Sequence, residues 1–246
     1  MPIELALFGA FSLVEDSTAV RVPLSEQRLL AFLGVLGPSE RQTVAGALWP
    51  DVIGARASSS LRTVLSKVRR RCGGVVRDGG SHLALCTGVA VDVQQLRAVA
   101  ARVVGGIPVD VDDALQLLHL RGDLLPAWDD EWLIFEREEI RQVRLQALEC
   151  CADWLCRAGD FGPAMMLVYE AVRVDPLRES AHRKLIGIHL AQGNRVQAMR
   201  AYQTFSRQLW RECGVQPSPM LEELVSARGG GAKIGNSPHA FGPANS

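Results

Sequence analysis

The chain is poor in lysine. Among its 246 residues only Lys67, Lys184 and Lys233 occur, so arginine supplies nearly all the positive charge. It also lacks net charge, with 27 basic residues against 27 acidic ones. Its six cysteines, Cys72, Cys86, Cys150, Cys151, Cys156 and Cys213, include no C-x-x-C pair, which excludes the common zinc and redox spacings. Cys150, Cys151 and Cys156 fall within one helical pattern, where a reduced thiol acts as a small hydrophobe. The longest apolar run, "LLAFLGVLG" from Leu29, is too short to span a bilayer. The first residues carry Glu4 and no basic stretch, so no secretion signal is read and a cytoplasmic location without membrane association is expected. No G-x-x-x-x-G-K-S/T or H-E-x-x-H motif is present, and the five histidines are dispersed. Phosphate-cradle and zincin chemistry are thereby excluded. No enzyme, cofactor or metal site is expected.

What the chain does have is a local concentration of positive charge. "SSSLRTVLSKVRRRCGG", residues 58–74, holds Arg62, Lys67, Arg69, Arg70 and Arg71, and no acid lies between Arg56 and Arg77. Leu61, Val64, Leu65, Val68 and Cys72 recur at spacings of three and four, which predicts a helix with one apolar stripe. The opposite side holds Ser59, Thr63, Ser66 and Arg70, flanked by Arg56, Arg62, Lys67 and Arg69.

The surrounding elements give this helix a setting. "IELALFGAFSLV" and "AVRVPL" read as strands around the polar turn "EDST". Ser25 is a candidate cap for "EQRLLAFLGVL", which Gly37-Pro38 ends, and Ser39 or Thr43 can cap a short helix running to Trp49. After the basic helix, two apolar runs flank Asp78-Gly79-Gly80, the composition of a tight hairpin. This order describes a winged helix in residues 1–90.

From about Val91 the texture becomes helical. "DVQQLRAVAARVV", "DDALQLLHLR" and the long segment from Glu131 to Gly159 are all periodic near 3.6. "AGDFGPAM" from Ala158 matches "QGNRVQAM" from Gln192 at an offset of 34 residues, the period of tetratricopeptide repeats. Gly159 and Gly193 suit turns between paired helices, and Ala164 and Ala198 suit close approach. Asp129–Glu131 reads as the acidic start of a long helix. Trp128, Trp132, Trp154 and Trp210 read as core anchors, and His182 and His189 as packing or surface residues. Residues 229–246, rich in Gly, Pro, Ser and Asn, read as a disordered tail. The fold class expected is therefore mainly α: an N-terminal winged helix-turn-helix (α/β), then an all-α tetratricopeptide-like domain over residues 91–228.

A helix that is apolar on one face and cationic on the other suits the major groove of double-stranded DNA, whose phosphates reward exposed charge. The small Ser59, Thr63 and Ser66 allow close approach, Arg70 can pair with a guanine edge, and Arg62, Lys67, Arg69 and Arg71 suit phosphates, with Arg56 also on the DNA-binding side. Arg77, beside the hairpin turn, can reach a minor groove. A protein-interaction scaffold, with a basic domain that reads no DNA, remains the alternative. It has no need of the acid-free run.

The ordered strings "LALFGAFSLV", "SEQRLLAFLGVL", "ALWPD", "SSLRTVLSKVRRRC", "RGDLLPAW", "DPLRES" and "AYQTFSRQLWRECGVQPSP" resemble the Streptomyces antibiotic regulatory proteins, the SARP family. The resemblance covers residues 1–228 and implies an OmpR/PhoB-type winged helix followed by a bacterial transcriptional activator domain. It implies an activator, often of an antibiotic gene cluster, that binds promoter direct repeats as a dimer and recruits RNA polymerase. Carried onto this sequence, the recognition positions are Thr63, Ser66, Lys67, Arg69 and Arg70, with Arg77 in the wing. The loop Pro50, Asp51, Val52, Ile53, Gly54, Ala55 corresponds to the polymerase-contacting loop. The wing reads "GGSHL" where the family has a Gly-Tyr pair. With no nucleotide-binding module read in the chain, the small form of the family is expected.

Overall fold

The computed structural model describes residues 2–107 and 109–227, and the tail anticipated over 229–246 lies outside them. The apolar N-terminal run forms two strands, β1 (Ile3–Ala6) and β2 (Ser12–Glu15), paired antiparallel with Leu5 opposite Leu13. Asp16 and Ser17, both at positive φ, make the tight turn into β3 (Thr18–Ala19), as the polar "EDST" leads one to expect. Of the expected strand over "AVRVPL" only Ala19 falls in β3, because Pro23 and the start of α1 (Leu24–Leu36) follow soon after. Neither Ser25 nor Thr43 caps a helix. Pro23 stands at the N-cap of α1 and Glu40 at that of α2 (Arg41–Leu48), while Ser39 Oγ donates to Gly37 O at 3.1 Å from the short strand β4 (Ser39–Glu40).

The second half of α1 is buried all round, from Leu29 to Val35, as suits a helix enclosed by other layers. Gly34 explains its close seat on the sheet: an added Cβ would lie 3.1 and 3.2 Å from the side chains of Leu7 and Leu5. The helix α3 (Gly54–Arg71) packs against α1 and α2, and the hairpin β5 (Val76–Asp78) and β6 (His82–Leu85) joins β4 in the order β4-β6-β5. This is a winged helix.

Two strands escaped the sequence reading, the short β4, where Ser39 is read as a cap, and β7 (Val89–Val91). The latter pairs parallel with β1, Leu5 opposite Val91, and completes the sheet β3-β2-β1-β7. Directly after it, at the start of α4 (Asp92–Val104), the Asp92 carboxylate accepts from Leu7 N at 2.7 Å and Phe8 N at 3.0 Å. The division read after residue 90 falls inside β7. The predicted helix over "DDALQLLHLR" is shorter than expected: α5 (Val111–Gln116) gives way to one tighter turn at Leu117–His119.

Two long helices follow, α6 (Glu131–Ala158) and α7 (Phe161–Val174), joined through Gly159 at φ +87°. This first compact unit ends at Pro176. The second contains α8 (Glu179–Ala191), α9 (Arg195–Cys213) and α10 (Pro219–Ala227), with Gly193 at φ +76° between the first two. The 34-residue repeat therefore reports two equivalent helix pairs. A left-handed glycine makes each turn, and Ala164 and Ala198 are buried at matching positions. The second unit closes on Ile186, Phe205, Leu209 and Leu221. His182 stacks on Phe205 at 4.1 Å between ring centroids.

The tryptophans divide. Trp132 meets Phe32 edge-on at 5.1 Å and Trp128 lies stacked near Phe11. Trp210 is exposed and Trp154 sits at the limit of exposure, so neither is a core anchor. Cys72 and Cys151 are buried, whereas Cys213 is exposed. Among the described residues, no helix is long and apolar enough to cross a membrane, and no cluster of side chains could hold a metal ion.

Candidate nucleic-acid interface

The basic helix forms as its spacing demands. Ala57, Leu61, Val64, Leu65 and Val68 of α3 are buried, and Cys72 extends the stripe. Arg69, Arg70 and Arg71 occupy the last turn, where positive charge complements the helix dipole. The apolar stripe fixes which way the other side points. Arg56, Ser59, Arg62, Thr63, Ser66, Lys67 and Arg70 are all exposed, and six of them, from Ser59 to Arg70, line one shallow open surface. Two contacts organise that surface locally: Arg62 Nε donates to Ser58 O at 3.3 Å, and Thr63 Oγ1 donates to Ser59 O at 3.1 Å. The Thr63 hydroxyl keeps its lone pairs free to accept.

Two of the expected cations are differently placed. Arg69 Nη2 lies 2.5 Å from Asp78 Oδ2, and Arg41 Nη2 reaches the same oxygen at 3.2 Å. Asp78 Oδ1 meanwhile accepts from Gly80 N at 3.1 Å, so this one carboxylate shapes the hairpin turn and holds two arginines to it. Arg71 Nε donates to Glu26 Oε2 at 2.8 Å, and the Glu26 side chain is only 2% exposed. Arg71, expected at phosphate, is instead the counter-charge of a buried acid, which raises its already high pKa through that hydrogen bond. Arg56, Arg62, Lys67, Arg70 and Arg77 have no carboxylate partner among the described residues. Arg77 points outward from β5 between buried Val76 and half-buried Asp78.

Sequence reasoning missed Arg41, Asp78 and Glu26 as parts of this frame. A signal for Glu26 was present. It falls three and four residues before Leu29 and Leu30, on the face that α1 buries, and an acid there requires a partner.

The loop over 50–55 is shorter than expected. Val52 N bonds to Trp49 O at 3.2 Å, Ile53 is the N-cap of α3, and Gly54 and Ala55 belong to its first turn. Ile53 is 79% exposed at the tip. Beside it a cleft of about 610 Å³ runs between Trp49–Val52 and residues 127–131. The acidic segment there does more than start α6. Asp130 accepts from Arg28 Nε at 2.8 Å and from Trp132 Nε1 at 3.3 Å.

Residues 91–227 match the family model described as "Bacterial transcriptional activator domain". The chain belongs to that family. The regulatory proteins AfsR of Streptomyces griseus and Streptomyces coelicolor are similar to it, at 28% identity over 81% of this chain and 29% over 90%. The SARP resemblance is thereby upheld. The chain spans under a quarter of the length of these relatives, 22% and 24%. Among solved structures, Mycobacterium tuberculosis EmbR in complex with a low affinity phosphopeptide superposes with a TM-score of 0.67. At 19% identity, over 91% of this chain and 64% of that one, the likeness concerns the fold. For this bacterial transcriptional activator domain protein, the matched names describe regulators and no enzyme.

Proposed function

We propose that this SARP-type regulator binds double-stranded DNA through α3 and the β5–β6 wing and activates transcription from the bound promoter in the cytoplasm. The carrying observation is the centre of the cationic face of α3, where Arg62, Lys67 and Arg70 have no carboxylate partner among the described residues while the apolar face is locked into a winged helix. Ser59, Thr63, Ser66 and Arg70 lie at the centre of that face and are the candidates for reading base edges. Arg56, Arg62, Lys67 and Arg77 are the candidates for phosphate. Arg69 reaches phosphate only by sharing itself with Asp78.

The exposed loop around Ile53, lying away from the cationic face's centre, is proposed to meet RNA polymerase. The helical residues 91–228 are proposed to pair protomers on direct repeats, as a homodimer, upstream of an antibiotic gene cluster. The family membership supports these last readings. The test is selection of genomic fragments by the purified full chain at moderate salt, followed by sequencing. A few promoters sharing repeats about 10–10.5 base pairs apart, or a multiple of that, are expected. Uniform recovery without a shared site would overturn sequence-specific recognition.

A further inference from the structure

A second cavity, of about 360 Å³, opens on the first unit far from α3 in sequence, between the segment after β1, residues 122–124, and α6. Its apolar wall is Phe8, Leu124, Ile134, Ile140 and Val174. Its charged wall is Arg137, Arg141 and Arg144, with Asp123 and Glu138. The charges are unevenly answered. Arg141 is saturated: its Nε and Nη2 bond Glu138, its Nη1 bonds Asp175 at 3.0 Å, and Glu138 is held down to a pKa of about 2 by that contact.

Arg137 is the opposite case. It donates Nε to Leu124 O at 2.8 Å and Nη2 to the carbonyls of Leu125 and Trp128. Backbone carbonyls fix its fork, and no carboxylate pairs with it among the described residues. Arg144 is 2% exposed, gives Nη1 to Gly122 O at 3.0 Å and Nη2 to Glu170, and lies 5.5 Å from the centroid of the Phe8 ring. Its buried Nε has no hydrogen-bond partner, and an orphaned buried donor costs free energy until something accepts from it.

A fixed guanidinium without a carboxylate partner, its Nε and Nη2 held by carbonyls and Nη1 left to donate, at one side of an apolar hollow is an arrangement that recognises a carboxylate carried on an apolar body. We propose that this cavity binds a small apolar monocarboxylate, its carboxylate on Arg137 and its body against Phe8, Ile134 and Ile140. The site bridges the N-terminal sheet and the helical array, since Leu125 N bonds Leu7 O at 3.0 Å and Gly9 N bonds Asp123 O at 2.8 Å beside it.

The probes are octanoate and 2-naphthoate, with octanamide and 2-naphthamide as neutral counterparts, titrated calorimetrically into the full chain. A single saturable site is expected for at least one carboxylate, with its amide weaker by about tenfold or more. Arg137 also props up three carbonyls, so its replacement can disturb the fold. The decisive variant is therefore Ile134→Glu, at a rim position 58% exposed. It should weaken the carboxylate by several-fold more than the amide, since both lose the apolar contact of Ile134 and only the carboxylate also meets a like charge. Absence of binding by both carboxylates at millimolar concentration, equal binding of acid and amide, or indifference to Ile134→Glu would each overturn the assignment. No DNA enters this assay, so its outcome is independent of the DNA-binding proposal.

Discussion

Asp78→Asn should make the protein bind DNA more tightly and more salt-dependently. Among the described residues, five cations on α3 and the wing are without carboxylate partners, namely Arg56, Arg62, Lys67, Arg70 and Arg77. If each meets one phosphate, log affinity falls with log salt at a slope of about −4.5 per protomer, which is roughly 500-fold between about 50 and 200 mM salt. Asp78 withholds two more. It lies 2.5 Å from Arg69 and 3.2 Å from Arg41, and Arg69 is otherwise half-exposed. Asparagine keeps an oxygen for Gly80 N, so the hairpin turn survives while the counter-charge disappears. The slope should steepen to between about −5.4 and −6.3, according to whether one or both arginines reach phosphate. Lys67→Gln should flatten it to about −3.6 by the same rule. Fluorescence anisotropy of a labelled duplex across a salt series reads both, with circular dichroism confirming the fold. A shallower slope in folded Asp78→Asn would refute the division between held and free cations, as would a slope indifferent to Lys67.

Arg70→Gln should cost about 1–3 kcal/mol on the preferred site and relax preference at one base position, read by competition with single-base variants of the selected site. Arg71→Gln should lower the thermal midpoint by stranding the buried Glu26 carboxylate, yet leave the salt slope unchanged. Leu61→Ala, at a position 2% exposed in the stripe of α3, should cost about 2–5 kcal/mol in urea denaturation. In the native protein Cys213 should alkylate first. Cys151, whose thiol burial pushes up to about 12, should react only on unfolding, since the thiolate is the nucleophile. Mass spectrometry of timed samples orders the two.

Elements defined by one short-range period were legible in sequence. α3, α4 and α6 each bury an apolar stripe, and the two glycine turns repeat at a fixed interval, so pattern alone locates them. β7 was not legible, because three residues carry too little alternation and its pairing with β1 is non-local. At the candidate site the exposed cations were legible and their partners were not. The hydrogen bond from Arg71 to Glu26 crosses 45 residues, and the one from Arg41 to Asp78 crosses 37. Such pairs exist only once the fold has closed. The tryptophans mislead for a related reason: size predicts burial on average, but whether Trp210 is covered depends on what packs over α9.

The neutrality of the chain is a sum of unlike parts. Residues 1–90 contain ten basic and seven acidic side chains, and residues 91–228 contain sixteen and twenty. Two of those seven acids, Glu26 and Asp78, answer Arg71 and Arg69 at the sides of α3. The effect of this placement is directional. Cations at the margins of the helix are tied back to α1 and to the hairpin, while those along its centre, Arg62, Lys67 and Arg70, are left exposed. A helix with every arginine free would attract phosphate over a wider arc and dock in more orientations. Holding the marginal charges narrows the arc to the side where Ser59, Thr63 and Ser66 permit close approach, so the same acids that lower the net charge orient the face that is proposed to read DNA.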